Sequence, residues 1–145
     1  MNNIHLIIPN RRRVIKDNEF SGKEELLSVE MPDSISTIGE SSFGFCDNLE
    51  SVKLSSRLKT IKNMAFYNCY KLNSIPLPEG LESIGFGAFF KCFGLKEVVI
   101  PKSVKTIGEQ AFGMCQHLQH VLIPKETMVA KDAFIECPQG IIEYY

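Results

Sequence analysis

Residues 104–124 read VKTIGEQAFGMCQHLQHVLIP, and nearly every landmark in that stretch recurs at a fixed distance along the chain. Counting back from Cys115 by 23 residues gives Cys92, then Cys69, then Cys46. Counting forward by 22 gives Cys137, and these five are all the cysteines among the 145 residues. A constant period in the range of about 20–30 residues marks a solenoid, whose turns bury their apolar faces only against neighbouring turns.

Aligned on cysteine, residues 33–55, 56–78, 79–101 and 102–124 form four consecutive units without insertion. A fifth, 10–32, stays in register although Lys23 stands in the cysteine column. Partial units flank them at 1–9, where Leu6-Ile7-Ile8-Pro9 matches Val98-Val99-Ile100-Pro101, and at 125–145, which is one residue short. The expected organisation is a single repeat domain over 1–145.

The columns define the core. Each unit after the first opens with aliphatic residues three apart (Ile35/Ile38, Leu58/Ile61, Leu81/Ile84, Val104/Ile107). Phenylalanine occurs in all six turns, and Phe20, Phe43, Phe66, Phe89, Phe112 and Phe134 are expected to form a buried ladder at one strand spacing, roughly 5 Å. A triplet such as Leu95/Val98/Ile100 follows, and its last two members alternate as strand residues do. Proline closes most of these runs (Pro9, Pro32, Pro78, Pro101, Pro124), because it cannot donate to a ladder; Ser55 is the exception. The remaining stretch, such as residues 108–115, is too short for a long helix and is read as one or two helical or 3₁₀ turns. Gly39, Gly85 and Gly108 share a column requiring positive φ or close packing. Lys62 interrupts that column, where strain or an altered turn is expected.

The spacing aliphatic-x-x-Ile-Gly-x-x-Ala-Phe-x-x-Cys-x-x-Leu-x-x-Val-x-Ile-Pro, seen in Val104 to Pro124, resembles the BspA-type leucine-rich repeat, and the resemblance covers essentially the whole chain. It implies an α/β repeat solenoid: a curved right-handed stack with a parallel β-sheet on one face and short helical or irregular returns on the other. It also implies a non-catalytic scaffold that binds proteins, often at the surface of bacteria or protozoan parasites in adhesion or host contact. It carries no catalytic residues and no cofactor with it.

Composition fits this reading. With 44% hydrophobic and 23% charged residues the chain has the balance of an ordinary globular body. A net charge of −1 lacks the footprint of a duplex-binding protein, so no nucleic-acid partner is expected. Arg11, Arg12 and Arg13 form the one basic run and are read as a solvated edge of the first turn. Residues 1–9 lack the basic leader, long apolar core and cleavage site of a signal peptide, and no run is long enough to cross a bilayer. Two locations stay open: the cytoplasm, and the cell surface to which the resemblance points.

Residues with chemistry fall in the wrong places for catalysis. Cysteines a full turn apart do not converge as zinc ligands, and they read as buried free thiols packing as small hydrophobes. His5 and His120 share a column but lie five strands apart, about 24 Å, too far to share a metal or substrate. His117 falls in a column that accepts Gly94, Lys71 and Asn48, so it is expected to be exposed.

Function is therefore expected in the variable columns. On the strand face, Pro76, Val99 and Leu122 line up as an apolar strip suited to a peptide or protein loop; the alternative is ordinary strand preference for apolar residues. On the return side, Phe86, Phe90 and Phe93 fall outside the ladder and the preceding turn adds Tyr67 and Tyr70. These five aromatics form a candidate partner patch, or else wrap over the edge of the core. The terminal strands, Leu6 to Pro9 and Ile141 to Tyr145, look open and offer a route to a homodimer. The two readings are thus a protein-binding scaffold with an unidentified protein partner, and a structural or regulatory repeat protein of the cytoplasm that associates with itself through its ends.

Overall fold

The computed structural model describes residues 3–145. Twelve short strands follow in chain order: β1 (Ile4–Ile7), β2 (Val14–Ile15), β3 (Leu26–Glu30), β4 (Thr37–Ile38), β5 (Ser51–Lys53), β6 (Thr60–Ile61), β7 (Ser83–Ile84), β8 (Glu97–Val99), β9 (Thr106–Ile107), β10 (His120–Ile123), β11 (Met128–Val129) and β12 (Ile142–Tyr144). All pairing is parallel, and the register between neighbouring full units is 23 residues, as in Val29↔Val52, Val98↔Val121 and Thr37↔Thr60. The chain is a parallel β-solenoid of about six turns.

The predicted single sheet is replaced by three. The Thr-Ile and Ser-Ile columns build a continuous six-stranded sheet, β11-β9-β7-β6-β4-β2. The longer strands fall into two separate three-stranded sheets, β1-β3-β5 and β12-β10-β8. Residues 72–78, which occupy the intervening position, form no strand.

The expected ladder is present. Successive rings from Phe20 to Phe134 stack with centroids 5.1–5.3 Å apart and planes within 14° of parallel. The four central rings are fully buried, while Phe20 and Phe134 at the ends are half-buried.

The expected helical returns are corrected: no helix occurs among the described residues, and the reason is spacing. An α-helix with its side chains is about 10–12 Å across, and these returns stack at about half that distance. Their backbone solves the problem by alternation. In one turn, the N–H groups of Ala65, Tyr67 and Cys69 donate three residues back, to Lys62, Met64 and Phe66, whereas those of Met64, Phe66 and Asn68 donate to Phe86, Ala88 and Phe90 of the next turn. The turns close with left-handed residues in two columns: Asn18, Ser41, Met64, Gly87 and Gln110, then Gly22, Phe45, Asn68, Lys91, Met114 and Glu136. Nine of these eleven are not glycine, so inter-turn bonding holds backbone that non-glycine residues otherwise avoid.

The glycine column needs closeness, not positive φ. A Cβ on Gly39 would lie 2.6 Å from the Ile15 carbonyl, and one on Gly108 would lie 2.8 Å from the Phe86 nitrogen. The altered turn expected at Lys62 is absent: its N–H donates to the Ile38 carbonyl at 2.9 Å, the same bond that Gly85 makes to Ile61.

Cysteine earns its column by a second contact. Each thiol donates to the carbonyl of the ladder phenylalanine one turn below: Cys46 to Phe20, Cys69 to Phe43, Cys92 to Phe66, Cys115 to Phe89 and Cys137 to Phe112, all at 3.0–3.2 Å. All five thiols are free, and the first four are buried. Lys23 has no ladder phenylalanine below it, and it is exposed. Arg12, in the basic run, is half-buried and forks onto both oxygens of Glu19, which holds the Glu19 carboxyl below its usual range.

Burial pushes the Cys46 thiol up to about 11 and raises Cys69 and Cys92 well above the ordinary thiol range. An unfolded thiol ionises near pH 8.5. Above that pH the unfolded chain has lost protons that the folded chain keeps, so folding stability falls as pH rises. Cys69 and Cys92 each contribute a slope of up to about 1.4 kcal/mol per pH unit. Urea denaturation under reducing conditions between about pH 7 and pH 10 will show this decline, and Cys92→Ala will make it shallower; equal slopes for variant and wild type would refute the assignment.

Candidate functional site

The interruption at residues 72–78 begins with one residue. Pro76 occupies the column of Lys53, Val99 and Leu122, where a ladder residue must donate its N–H, and proline has none. Asn73 still donates to the Glu50 carbonyl at 3.1 Å, and Ile75 remains buried in the core. Beyond Asn73, residues 74–77 pair with neither β5 nor β8. The strip expected from Pro76, Val99 and Leu122 is therefore cut. Val99 and Leu122 do stand opposite one another in register, with Val99 exposed and Leu122 half-buried, but Pro76 belongs to no sheet.

A cleft of about 560 Å³ lies beside the cut, lined by residues that include Ser74, Pro76, Glu79, Lys96, Glu97 and Val99. A second depression of about 630 Å³ adjoins it and shares Asn73 and Lys96; its other walls include Glu50, Tyr70, Lys71, Phe93 and His117. Together they make one notch running from the strand face over its margin.

The five aromatics read as one patch divide into two stacks and an outlier. Tyr70 and Phe93 stack with centroids 5.2 Å apart and line the notch. Tyr67 and Phe90 stack at 5.0 Å in a different column, joined by Phe45 at 5.6 Å from Tyr67. That second stack is also packing: Gly113 leaves the space that the Phe90 ring fills, since a Cβ there would lie 2.7 Å from the ring. Phe86 stands apart, 40% exposed. Phe45, 46% exposed, went unnoticed in the sequence because it lies one column away from Tyr67; its signal was an aromatic beside cysteine where Asn68 and Lys91 stand in other turns.

The histidines are exposed. His117 Nδ1 lies 2.8 Å from the Phe93 carbonyl, and His120 pairs with Glu143 at 3.0 Å across β10 and β12. His5 is within 2.7 Å of Ser28 Oγ on the other three-stranded sheet. No helix among the described residues is long and apolar enough to cross a membrane.

Parallel stacking of 23-residue units with a Leu-x-x-Val-x-Ile strand defines the class, a leucine-rich-repeat solenoid. The BspA type leucine rich repeat region matches in six copies over residues 13–140, and the chain belongs to that family. Among solved structures it is similar to a leucine-rich repeat protein of T. pallidum, with 26% identity over 99% of this chain and 74% of that one, at a TM-score of 0.81. It is also similar to a leucine-rich repeat protein from Bacteroides ovatus (33% identity, 81% of this chain and 33% of that one, TM-score 0.76). A third similar structure is a leucine-rich cell surface protein from Faecalibacterium prausnitzii (28% identity, 97% of this chain and 31% of that one, TM-score 0.64). The chain thus spans about a third of the length of these last two. Among curated proteins, none matches it. Leucine-rich repeats generally mediate protein–protein contacts.

Replacing Pro76 with valine restores the missing donor. In Pro76→Val the amides of residues 76 and 99 are expected to exchange with solvent about tenfold more slowly or better, read by hydrogen-exchange mass spectrometry or NMR. Unchanged exchange at residue 99 would show that something other than the missing N–H divides the sheet.

Proposed function

We propose that the chain is a non-catalytic protein-binding scaffold whose docking surface is the notch formed by Tyr70, Phe93, Pro76 and Val99. The observation that carries this reading is the coincidence of a sheet interruption with an aromatic stack in one continuous depression. Interfaces are anchored by aromatic side chains in pockets, and the Tyr70–Phe93 stack lines such a depression, whereas the Phe20-to-Phe134 ladder is committed to the core and Phe90 to packing against Gly113. We place the scaffold at a cell surface, in adhesion or host contact, a reading supported by family membership and by the cell surface protein among its structural relatives. Tyr70→Ser combined with Phe93→Ser should lower capture of a partner from the native environment by about tenfold or more, with far-UV circular dichroism unchanged. Undiminished capture by this variant would remove the notch as the docking surface.

The second reading, self-association through the solenoid ends, is favoured by a separate observation. Among the described residues, seven of the ten exposed large hydrophobics lie on the two end turns: Ile4, Ile7 and Val14 at one, Met128, Ile135, Tyr144 and Tyr145 at the other. Among the described residues, β1 and β12 each pair on one edge only. In this reading the molar mass by sedimentation rises with concentration, and Ile7→Lys with Tyr144→Lys abolishes the rise. A single monomeric mass at all concentrations would eliminate it.

A further inference from the structure

We propose that the notch takes an extended peptide carrying an acidic residue toward one end and a basic residue toward the other. The inference deepens the scaffold reading and rests on it.

Backbone direction supplies the first part. In a parallel ladder, alternate residues turn their N–H and C=O groups to opposite neighbours. Ile100 N–H donates to the Leu122 carbonyl at 2.9 Å, so Val98 and Ile100 face β10, and Glu97 and Val99 face residues 74–77. Likewise Met31 N–H donates to the Lys53 carbonyl at 3.0 Å, so Ser51 and Lys53 face β3, and Val52 faces residues 74–77 from the other side. Those residues pair with neither strand. Donors and acceptors therefore line the middle of the strand face without backbone partners, a condition that a sheet ordinarily shows only at its edges.

Spacing limits what can enter. Phe66 and Phe89 stack at 5.2 Å, and β6 pairs with β7 in register, so the two turns stay one strand apart beneath the notch. A whole strand has no room to insert. A chain lying over the notch can still present amide and carbonyl groups to Glu97, Val99 and residues 74–77, replacing water there.

Charge sets the direction. At the aromatic end, Lys71, Lys96 and His117 stand against Glu50. At the strand end, Glu79 and Glu97 stand against the shared Lys96. Neither Lys71 nor Lys96 makes an ion pair among the described residues. A peptide carboxylate complements the first end and a lysine or arginine the second, with Tyr70 and Phe93 receiving an apolar side chain beside the carboxylate.

The test pans phage-displayed random dodecapeptides on the immobilised full chain and measures the enriched sequences, as synthetic peptides, by fluorescence anisotropy. Enriched peptides should carry the two opposite charges. Their affinity should fall about tenfold or more in Pro76→Val, which closes the sheet, and in Lys96→Glu, and should weaken with added salt. Phe45→Ser, in the other aromatic stack, should leave it unchanged. Lys96 is exposed and Pro76→Val adds a strand donor, so both variants keep the fold, verified by circular dichroism. Peptides that bind Pro76→Val as tightly as wild type, or lose affinity only in Phe45→Ser, would overturn the notch while leaving a binding scaffold in place. Failure to enrich any peptide would overturn the inference too, and the Tyr70/Phe93 capture experiment then decides the scaffold reading separately. A dimer that dissociates in Pro76→Val would reassign the notch to a second copy of the chain.

Discussion

The structure depends on backbone groups being satisfied one turn away. Each return is too short and too closely stacked to close its own hydrogen bonds, so every second N–H donates to the equivalent region of the next unit. That requirement fixes the rise per turn near 5 Å, and the rise dictates the side chains. At such a distance a residue meets its own counterpart above and below, so a column must hold something that packs against itself: stacked phenylalanine rings, thiols small enough to sit between turns, alanine where even those do not fit. The left-handed columns follow from the same demand, since a path this tight reverses only through backbone that glycine prefers and other residues adopt under constraint.

Legibility in the sequence followed the range over which each interaction acts. The period, the Phe ladder and the buried aliphatic columns were readable because they repeat, and repetition reports stacking without any knowledge of backbone path. The Thr37–Ile38 type of strand was missed, since two residues are too few to show alternation. The returns were misread as helical because residues 108–115 were judged on local length, while the decisive quantity, the room available between stacked turns, is a property of the assembled solenoid. Pro76 is different. Its side chain suits an apolar strip, but its nitrogen lacks the N–H that a ladder needs, so pairing stops two residues before Pro78. The aromatic patch divided because Tyr67 and Tyr70, three residues apart in sequence, sit on columns that face different surroundings.

Departures from the repeat stay local. Pro76 cuts one sheet, yet the six-stranded sheet and the ring ladder pass beneath it without a break. A solenoid can thus carry a feature in one turn while its neighbours keep their geometry, because each turn answers only to the two beside it. The notch exists on those terms: the turn that loses its strand, the Tyr70–Phe93 stack and the lysines at the margin all fall within two adjacent units. Conversely, the columns that satisfy the stack are unavailable for recognition.

The thiol–carbonyl contacts carry a consequence for how the chain reaches this state. Cys46 to Phe20, Cys69 to Phe43, Cys92 to Phe66 and Cys115 to Phe89 each span 26 residues, and the ladder pairings of full units span 23. No interaction in the interior of the stack needs a longer loop than its neighbour, however many turns are added. Folding can begin at any adjacent pair of turns and lengthen one turn at a time, with a closure entropy that does not grow with the protein.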